Sequence, residues 1–285
     1  MKTLHVDTGE QMQGGQWQAL YLVERLQEAI LLVPATSPLF QEAAQCGVDV
    51  RPLSFSLLRK LARTVDAVHA HDAKAHTWAA LSGGAPLMVS RRVAFPVNTG
   101  LASRWKYARA GGYLAVSHYV AKCLLAAGIP QSQIQVIYDG ALPAPLTSRE
   151  PGRVVALAAK PVQIPGISVD HTSSLMDDLA TASVFVYKSD LEGLGSAAIA
   201  AQAAGVPVVA SAAGGLPEAV LDGQTGFIVR DGDRNGDFAT PVNRLLLDRA
   251  LAERMGLAGR ERVQREFSVD RMVERTMQAY TELCR

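Results

Sequence analysis

The sequence has few cysteines, no long apolar run and almost no net charge. Its three cysteines, Cys46, Cys123 and Cys284, are scattered without a Cys-x-x-Cys pair, which is typical of a reducing compartment and offers no metal-site spacing. The formal net charge is +1, so we expect no nucleic-acid partner. The first ten residues lack the apolar stretch of a secretory signal, and no run approaches the roughly 20 apolar residues that cross a bilayer. These absences predict a cytoplasmic protein.

The composition is that of a folded protein. Hydrophobic residues make up 48% of the 285 residues and charged residues 19%, which argues against disorder. This length is sufficient for two modest domains or for one large α/β domain.

Short apolar runs alternate with segments of helical period in the first half of the chain. Segments 17–28, 39–46, 75–81 and 120–127 have the helical period. The apolar runs are rich in Val and Ile and are bounded by Gly, Pro or Asp, as buried parallel strands are. They lie at residues 4–6, 30–33, 65–69, 87–89, 113–116 and 134–137. The alternation predicts a Rossmann-like domain over residues 1–142.

A second alternating series follows residues 141–152, which are rich in proline and polar residues and are predicted to be an interdomain linker. Only about four strands are recognisable, at residues 154–159, 184–187, 206–210 and 227–229, where a typical sheet has roughly five or six. Residues 160–170 form a polar path that is too short for a long helix and an extra strand. We therefore predict a shortened second domain over residues 152–267 and a last helix over residues 268–285.

The densest functional signal is the segment SDLEGLGSAAIAAQAAG at residues 189–205. A strand enters a glycine-rich turn, where Gly193 and Gly195 allow a ligand to approach the backbone and Ser196 is placed to cap the following helix. Exposed amides and the positive end of the helix dipole favour an anion such as a diphosphate, and Glu192 lies beside them. The alternative is an ordinary strand–turn–helix connection.

A second glycine-rich turn follows the next predicted strand. The segment SAAGGLPE contains Gly214 and Gly215, and Pro217 fits the first turn of a helix. Because both turns follow strands of one parallel sheet, both lie at its carboxyl edge, where open α/β sheets bind ligands.

Residues 183–232 resemble the donor lobe of glycosyltransferase family four, through the segments SDLEGLG, AAGVPVVAS and AGGLPEAVLDGQTGFIV. The first half is similar through Gly14 and Gly15, VDAVHAHD and residues 113–140. The resemblance implies the α/β fold called GT-B, with two Rossmann-like lobes facing a cleft; here the C-terminal lobe is truncated. The final helix, 268–285, would cross back to the first lobe.

The same resemblance implies a retaining glycosyltransferase that moves a hexosyl-type sugar. The donor would be a nucleotide-diphosphate sugar and the acceptor a glycan or a lipid-linked glycan, as in lipopolysaccharide or cell-envelope polysaccharide biosynthesis. Neither a metal nor another cofactor is implied. An epimerase or a sugar phosphorylase of the same fold would need an acid/base set or a cofactor lysine, and we identify neither.

Residue roles follow from the matching positions. Glu192 would hold the donor sugar and is the catalytic candidate. The donor-binding candidates are the two glycines of the first lobe, the turn after Glu192, and two positions where the chain departs from the family: Gly14, Gly15, Gly193, Leu194, Gly195, Ser196, Lys160 and Ala200.

The two departures weaken the implied donor site. Ala200 replaces a ribose-binding Glu that the family carries two turns along the same helix. Lys160 is the one basic residue near the place where the family clamps the diphosphate with an Arg and a Lys. The alternative function is therefore a catalytically degenerate GT-B protein that acts as a non-enzymatic partner.

Basic and histidine residues follow the strands of the first lobe. His71, Arg91 and Arg92 are candidates for acceptor or phosphate contacts, because cations at a strand end suit phosphate groups. The segment SRWKYAR at residues 103–109 combines basic and aromatic residues. It is suited to peripheral contact with an anionic membrane, and the alternative is a partly buried helix with basic edges.

Overall fold

A computed structural model describes residues 1–98, 100–230 and 237–283. Within them the chain forms two compact units, one of residues 1–138 with the residues from 269 onward, and one of residues 139–268. The strands are β1 (Thr3–Val6), β2 (Ala29–Val33), β3 (Asp49–Pro52), β4 (Ala67–Ala70), β5 (Leu87–Arg91), β6 (Gly112–Ala115), β7 (Ile134–Val136), β8 (Val154–Leu157), β9 (Val169–Thr172), β10 (Val184–Tyr187), β11 (Val208–Ser211) and β12 (Gly226–Val229). The α-helices are α1 (Gly14–Val23), α2 (Pro38–Gln45), α3 (Phe55–Leu61), α4 (Ala73–Ser82), α5 (Leu101–Ala108), α6 (His118–Ala126), α7 (Leu175–Leu179), α8 (Ser196–Ala203), α9 (Leu216–Ala219), α10 (Ala239–Leu247), α11 (Arg249–Glu266) and α12 (Val269–Leu283).

The first unit contains a parallel sheet with the strand order β3-β2-β1-β4-β5-β6-β7. This is the Rossmann order extended by one strand, and the order reverses between β1 and β4. The sequence analysis missed β3, because its four residues lie at the sheet edge and are half-buried or exposed. The expected α/β class is confirmed for this unit.

Helix α12 belongs to the first unit. Its Met272 and Tyr280 pack in one apolar cluster with Leu22, Met88 and Leu114. An exposed ion pair joins Arg25 to Asp270, with 3.2 Å between Nε and Oδ1. The apolar burial rather than this exposed pair stabilises the position of the helix.

The second unit contains a parallel sheet with the strand order β12-β11-β10-β8-β9. Numbered within the unit, this is the flavodoxin-like order 2-1-3-4-5, which reverses between β8 and β10. Among the described residues its five strands compare with seven in the first unit. This unit is also a Rossmann-like α/β sheet, as the sequence predicted.

One strand of the second unit was not expected from the sequence. This strand, β9, pairs with β8 at the register Val154↔Val169, and helix α7 follows it. The expectation of four strands is therefore wrong by one. It failed because Asp170 and His171 in β9 are exposed, so this edge strand has no apolar run.

The segment predicted as a linker packs on the second unit. The Ala141 amide donates to the Phe267 carbonyl at 2.8 Å, and Arg149 Nη1 donates to the Leu179 carbonyl at 2.8 Å. The chain divides at residue 138 rather than at 142.

Among the described residues, none of the helices combines the length and apolar character needed to cross a membrane.

Candidate functional site

Three loops of the second unit carry the residues singled out in its sequence. They follow β8, β10 and β11, and because these strands are parallel all three loops leave the same edge of the sheet. Strand β8 pairs directly with β10, so Lys160 after β8 and Glu192 after β10 flank the position where the strand order reverses. Open α/β sheets bind ligands at this position.

The carboxylate of Glu192 lies in a network of polar side chains. Its Oε2 accepts hydrogen bonds from Lys160 Nζ at 2.5 Å and from the Tyr187 hydroxyl at 2.7 Å. Lys160 Nζ also donates to Ser189 Oγ at 2.9 Å and lies 4.8 Å from the centre of the Tyr187 ring. The Lys160 side chain is 33% exposed and that of Glu192 21%, so a ligand can reach both.

Tyr187 is the buried member of this network. Burial, and secondarily the neighbouring Glu192, raises the pKa of its hydroxyl. The phenol therefore stays protonated at neutral pH and donates its hydrogen bond to the carboxylate.

Two local placements predicted from the sequence are wrong. Glu192 lies in the loop before α8, which begins at Ser196, so Glu192 and Ala200 do not share a helix. The cap position of α8 is occupied by Gly195 rather than by Ser196. The Gly195 backbone has φ +98° and ψ 62°, a left-handed conformation that favours glycine because it has no Cβ.

The start of α8 has an anion-binding geometry. Its cap residue provides no side-chain hydrogen bond, and the amides of Ala198 and Ile199 already bond to the Gly195 carbonyl. The preceding amides of the first turn have no partner within a helix, and they lie at the positive end of its dipole. A phosphate group could accept hydrogen bonds from these amides, and its negative charge would be stabilised by the helix dipole.

The two glycine-rich turns contact each other through their backbones. The Gly215 amide donates to the Glu192 carbonyl at 2.9 Å. A Cβ on Gly214 would lie 2.0 Å from that carbonyl oxygen, and a Cβ on Gly215 would lie 2.1 Å from the Gly193 oxygen. Side chains would force the turns apart, which explains the Gly-Gly pair. The structure thus brings the two predicted turns together.

The first unit brings together a separate set of predicted residues. Gly14 and Gly15 are the first residues of α1. A Cβ on Gly15 would lie 3.8 Å from Arg92 Cδ. Arg92 Nη1 in turn lies 3.5 Å from His71 Nδ1. Gly15, His71 and Arg92 therefore surround the position where this sheet reverses its strand order.

Arg91 and Asp72 have local partners. Arg91 Nη1 donates to the Tyr107 hydroxyl at 2.9 Å and its Nη2 donates to the Phe95 carbonyl at 2.5 Å, so Arg91 holds the loop after β5. Asp72 caps α4 by accepting from the Lys74 amide at 2.8 Å.

Three buried histidines connect β1 with the end of β4. His5 Nδ1 lies 3.0 Å from His71 Nε2. His69 Nδ1 lies 2.6 Å from the Tyr280 hydroxyl and its Nε2 lies 2.8 Å from Ser90 Oγ. Burial lowers the pKa of His5 to about 3 and holds the pKa values of His69 and His71 well below their usual range. At neutral pH all three rings are uncharged.

These rings are close enough to share a cation, with one nitrogen of each within 4.8 Å of the others. Both nitrogens of His69 already have hydrogen-bond partners. The positive charge of Arg92 further lowers the pKa of His69 and of His71, so it also opposes a second cation. The contacts favour a neutral hydrogen-bond network over a metal centre.

Family models match both halves of the chain. A model described as glycosyl transferases group 1 matches residues 164–262, and one described as glycosyltransferase family 4 matches residues 14–141. The chain belongs to the GT-B glycosyltransferases. The suspected resemblance to this family is thereby confirmed at the level of the family.

Curated relatives of this glycosyltransferase match over part of its length. An alpha-maltose-1-phosphate synthase of Mycobacterium tuberculosis is 43% identical over 115 residues, which is 39% of this chain and 30% of the relative. A capsular polysaccharide biosynthesis glycosyltransferase, CapM, of Staphylococcus aureus is 36% identical over 102 residues, which is 36% of this chain and 27% of the relative. The matches thus span less than a third of these relatives.

Solved structures match the GT-B glycosyltransferase over nearly its whole length. Anabaena Alr3699/HepE, in a complex with UDP-glucose, has a TM-score of 0.84 at 15% identity and a match that covers 99% of both chains. The lipopolysaccharide outer core galactosyltransferase WaaB has a TM-score of 0.73 at 12% identity and again a match over 99% of both chains. At these identities the matches establish the fold.

Sequence reasoning about the GT-B glycosyltransferase missed Tyr187 and Ser189 beside Glu192, and His5 beside His71. Their position in the sequence could have indicated them, because Tyr187 ends β10 and Ser189 follows it at the carboxyl edge of the sheet, where ligands bind. His5 gave no signal, since it lies within a buried apolar strand.

Proposed function

We propose that this GT-B glycosyltransferase moves a hexosyl-type sugar from a nucleotide-diphosphate sugar to a glycan or lipid-linked acceptor, with retention of configuration. The observation that carries the proposal is the pairing of Glu192 with Lys160 beside the start of α8. A carboxylate suited to sugar hydroxyls thereby lies next to a cation and a helix end suited to phosphate.

The donor's diphosphate would bind the amides from Gly193 to Ser196 and draw Lys160 towards it. The negative charge that develops on the leaving diphosphate would be stabilised by this cation and by the helix dipole. Glu192 would accept hydrogen bonds from the sugar hydroxyls. Within the first unit, Gly15 and Arg92 are proposed as contacts for a phosphate group.

A structural match to a protein that binds a nucleotide sugar supports a donor site. Alr3699/HepE matches over 99% of both chains, and its structure is a complex with UDP-glucose. A protein of the same extent and fold therefore accommodates a nucleotide sugar, which favours the same class of donor here.

The proposal is tested with Glu192→Gln. Calorimetric titration should detect UDP or GDP binding to the unmodified protein, and enzymatic release of the diphosphate from UDP-glucose or GDP-mannose should be measurable. Glu192→Gln should keep diphosphate affinity within about threefold and lower the turnover by at least about tenfold, because it removes the charge that binds the sugar. Unchanged turnover would reject the role of Glu192.

The second candidate function is a GT-B protein without transferase activity that acts as a binding partner. The observation that favours it is Ala200, which offers no carboxylate for a ribose. Absence of binding to both UDP and GDP in the unmodified protein would favour this candidate over the transferase.

A further inference from the structure

Tyr187 contacts the proposed donor site from inside the sheet. It is the last residue of β10 and is 5% exposed. Its ring lies beneath the glycine-rich turn, since a Cβ on Gly195 would be 3.4 Å from Tyr187 Cε1. Its hydroxyl reaches past the turn to Glu192 Oε2 at 2.7 Å. One buried side chain thus contacts both the turn and the carboxylate.

We propose that Tyr187 is a positioning residue that orients Glu192 for the donor sugar, an inference that rests on the proposed function. The Tyr187 hydroxyl and Lys160 Nζ both bond to Oε2 of Glu192. The other carboxylate oxygen, Oε1, receives neither bond. With Oε2 held in place, the direction of Oε1 is set, and this oxygen can accept from a sugar hydroxyl.

Lys160 cannot perform this role alone. Its ammonium group lies at the end of a flexible four-carbon chain, and a bound diphosphate attracts it more strongly than one carboxylate does, because the diphosphate carries more charge. Tyr187 is a neutral phenol on a strand, and its ring is packed beneath the turn. It therefore remains bonded to Glu192 when Lys160 turns towards the phosphate.

These different roles of Lys160 and Tyr187 predict that loss of the Tyr187 hydroxyl weakens binding of the sugar and not of the diphosphate. Tyr187→Phe retains the ring beneath Gly195 and removes only the hydroxyl. Glu192 then loses its fixed partner, and we expect the affinity for a nucleotide sugar to fall by about five- to tenfold, near the lower end for a hydrogen bond to a charged group. Affinity for the diphosphate should stay within about twofold, since phenylalanine keeps the ring that packs beneath the turn.

The experiment is calorimetric titration of the full chain with UDP, UDP-glucose, GDP and GDP-mannose. Tyr187→Phe should lower the ratio of nucleotide-sugar to diphosphate affinity, and Lys160→Met should weaken both ligands. Tyr113→Phe is the matched control, because it removes a buried hydroxyl of the first unit that donates to the Tyr107 carbonyl. Thermal melting checks that each variant folds.

Equal losses of affinity for the diphosphate and for the nucleotide sugar in Tyr187→Phe would mean that the hydroxyl only supports the turn, and this would overturn the inference. Unchanged affinity for both ligands would overturn it as well. Failure of the unmodified protein to bind any diphosphate is a different result, because it rejects the proposed function itself and the inference with it.

Discussion

Glu192 and His5 differ in their surroundings. Glu192 is part-exposed and accepts hydrogen bonds from a cation and a phenol. His5 is fully buried and its ring nitrogens lie 3.0 Å from Thr3 Oγ1 and from His71 Nε2; neither partner is a carboxylate. Burial therefore excludes its charged form.

The histidines predict a stability that falls as the pH falls. An unfolded His has a pKa near 6.5, whereas the folded pKa of His5 is about 3. Between these values the unfolded state binds a proton that the folded state does not, so the free energy of unfolding falls as the pH decreases. From pH 6.5 to pH 5 the loss is on the order of 1–2 kcal/mol for this one residue.

Urea unfolding at several pH values between 7.5 and 5 measures this effect. The His5→Asn variant should have a weaker pH dependence than the unmodified protein. The control is His118→Gln, because His118 is exposed and its replacement should leave the dependence unchanged. Equal slopes in His5→Asn and the unmodified protein would contradict the prediction.

Ala200 tests whether a ribose site can be restored. It is half-buried in α8, and a carboxylate there could accept hydrogen bonds from two ribose hydroxyls. Each such bond is worth on the order of 1.5–3 kcal/mol, so Ala200→Glu should tighten UDP or GDP binding by roughly tenfold or more. Calorimetric titration is the measurement.

Ala197→Glu is the matched control for Ala200→Glu. It places the same carboxylate in the first turn of α8, where it would repel a diphosphate, so it should give no gain. If Ala200→Glu folds and binds no tighter, the ribose subsite is absent and the non-catalytic candidate gains support.

At the level of elements, glycine-rich turns and helix starts form the proposed site, while the strands position them. The turn before α8 requires Gly195 for two reasons. The first is its positive φ, and the second is space, because a Cβ there would lie 2.5 Å from Leu216 Cδ2. Leu216 begins α9 after the second glycine-rich turn, so a side chain on Gly195 would disturb both turns.

Gly195→Ala should therefore destabilise the protein more than the matched variant Gly47→Ala. Gly47 has φ +75° and open space at its Cβ position, so alanine costs only backbone strain, about 1–2 kcal/mol. Gly195→Ala adds the displacement of Leu216, and we expect a further loss of about 1 kcal/mol. Urea unfolding compares the two variants, and equal losses would contradict the predicted contact.

Helix α5 exposes two large apolar side chains. Leu101 is 85% exposed and Trp105 is 46% exposed, and Tyr107 is the buried residue of the helix. Arg104 and Lys106 lie in the same helix. We propose that this combination binds an anionic membrane surface, where the acceptor would be lipid-linked.

Leu101→Ser should reduce sedimentation with vesicles that contain anionic phosphatidylglycerol. Leu247→Ser is the control, because Leu247 is 88% exposed but lies in α10 of the second unit. Removing a buried leucine side chain from the membrane costs about 1.5–3 kcal/mol, so vesicle affinity should fall by roughly tenfold or more in the first variant alone. Equal binding by both variants would reject this surface.

At the level of the whole molecule, two Rossmann-like units follow each other in the chain, and α12 returns to the first. Each sheet reverses its strand order once, between β1 and β4 in the first unit and between β8 and β10 in the second. The residues proposed for the donor and the acceptor gather at these two positions. The residues of the proposed sites are thus brought together by topology rather than by sequence neighbourhood.

The sequence by itself predicted the fold class, most buried strands and both glycine-rich turns. These features are local, since an apolar run marks a buried strand and closely spaced glycines mark a tight turn. Edge strands β3 and β9 were missed because one or both of their faces contact solvent. Their residues therefore lack the pattern that a buried strand must have.

Only the tertiary structure decided which side chains meet at the proposed site. Lys160 and Glu192 are 32 positions apart, and His5 and His71 are 66 positions apart. They contact each other because β8 pairs with β10 and β1 pairs with β4, and no local pattern records these pairings. The backbone at Gly195 likewise packs against Leu216 of the second glycine-rich turn, and a contact between turns exists only once the strands that carry them have assembled.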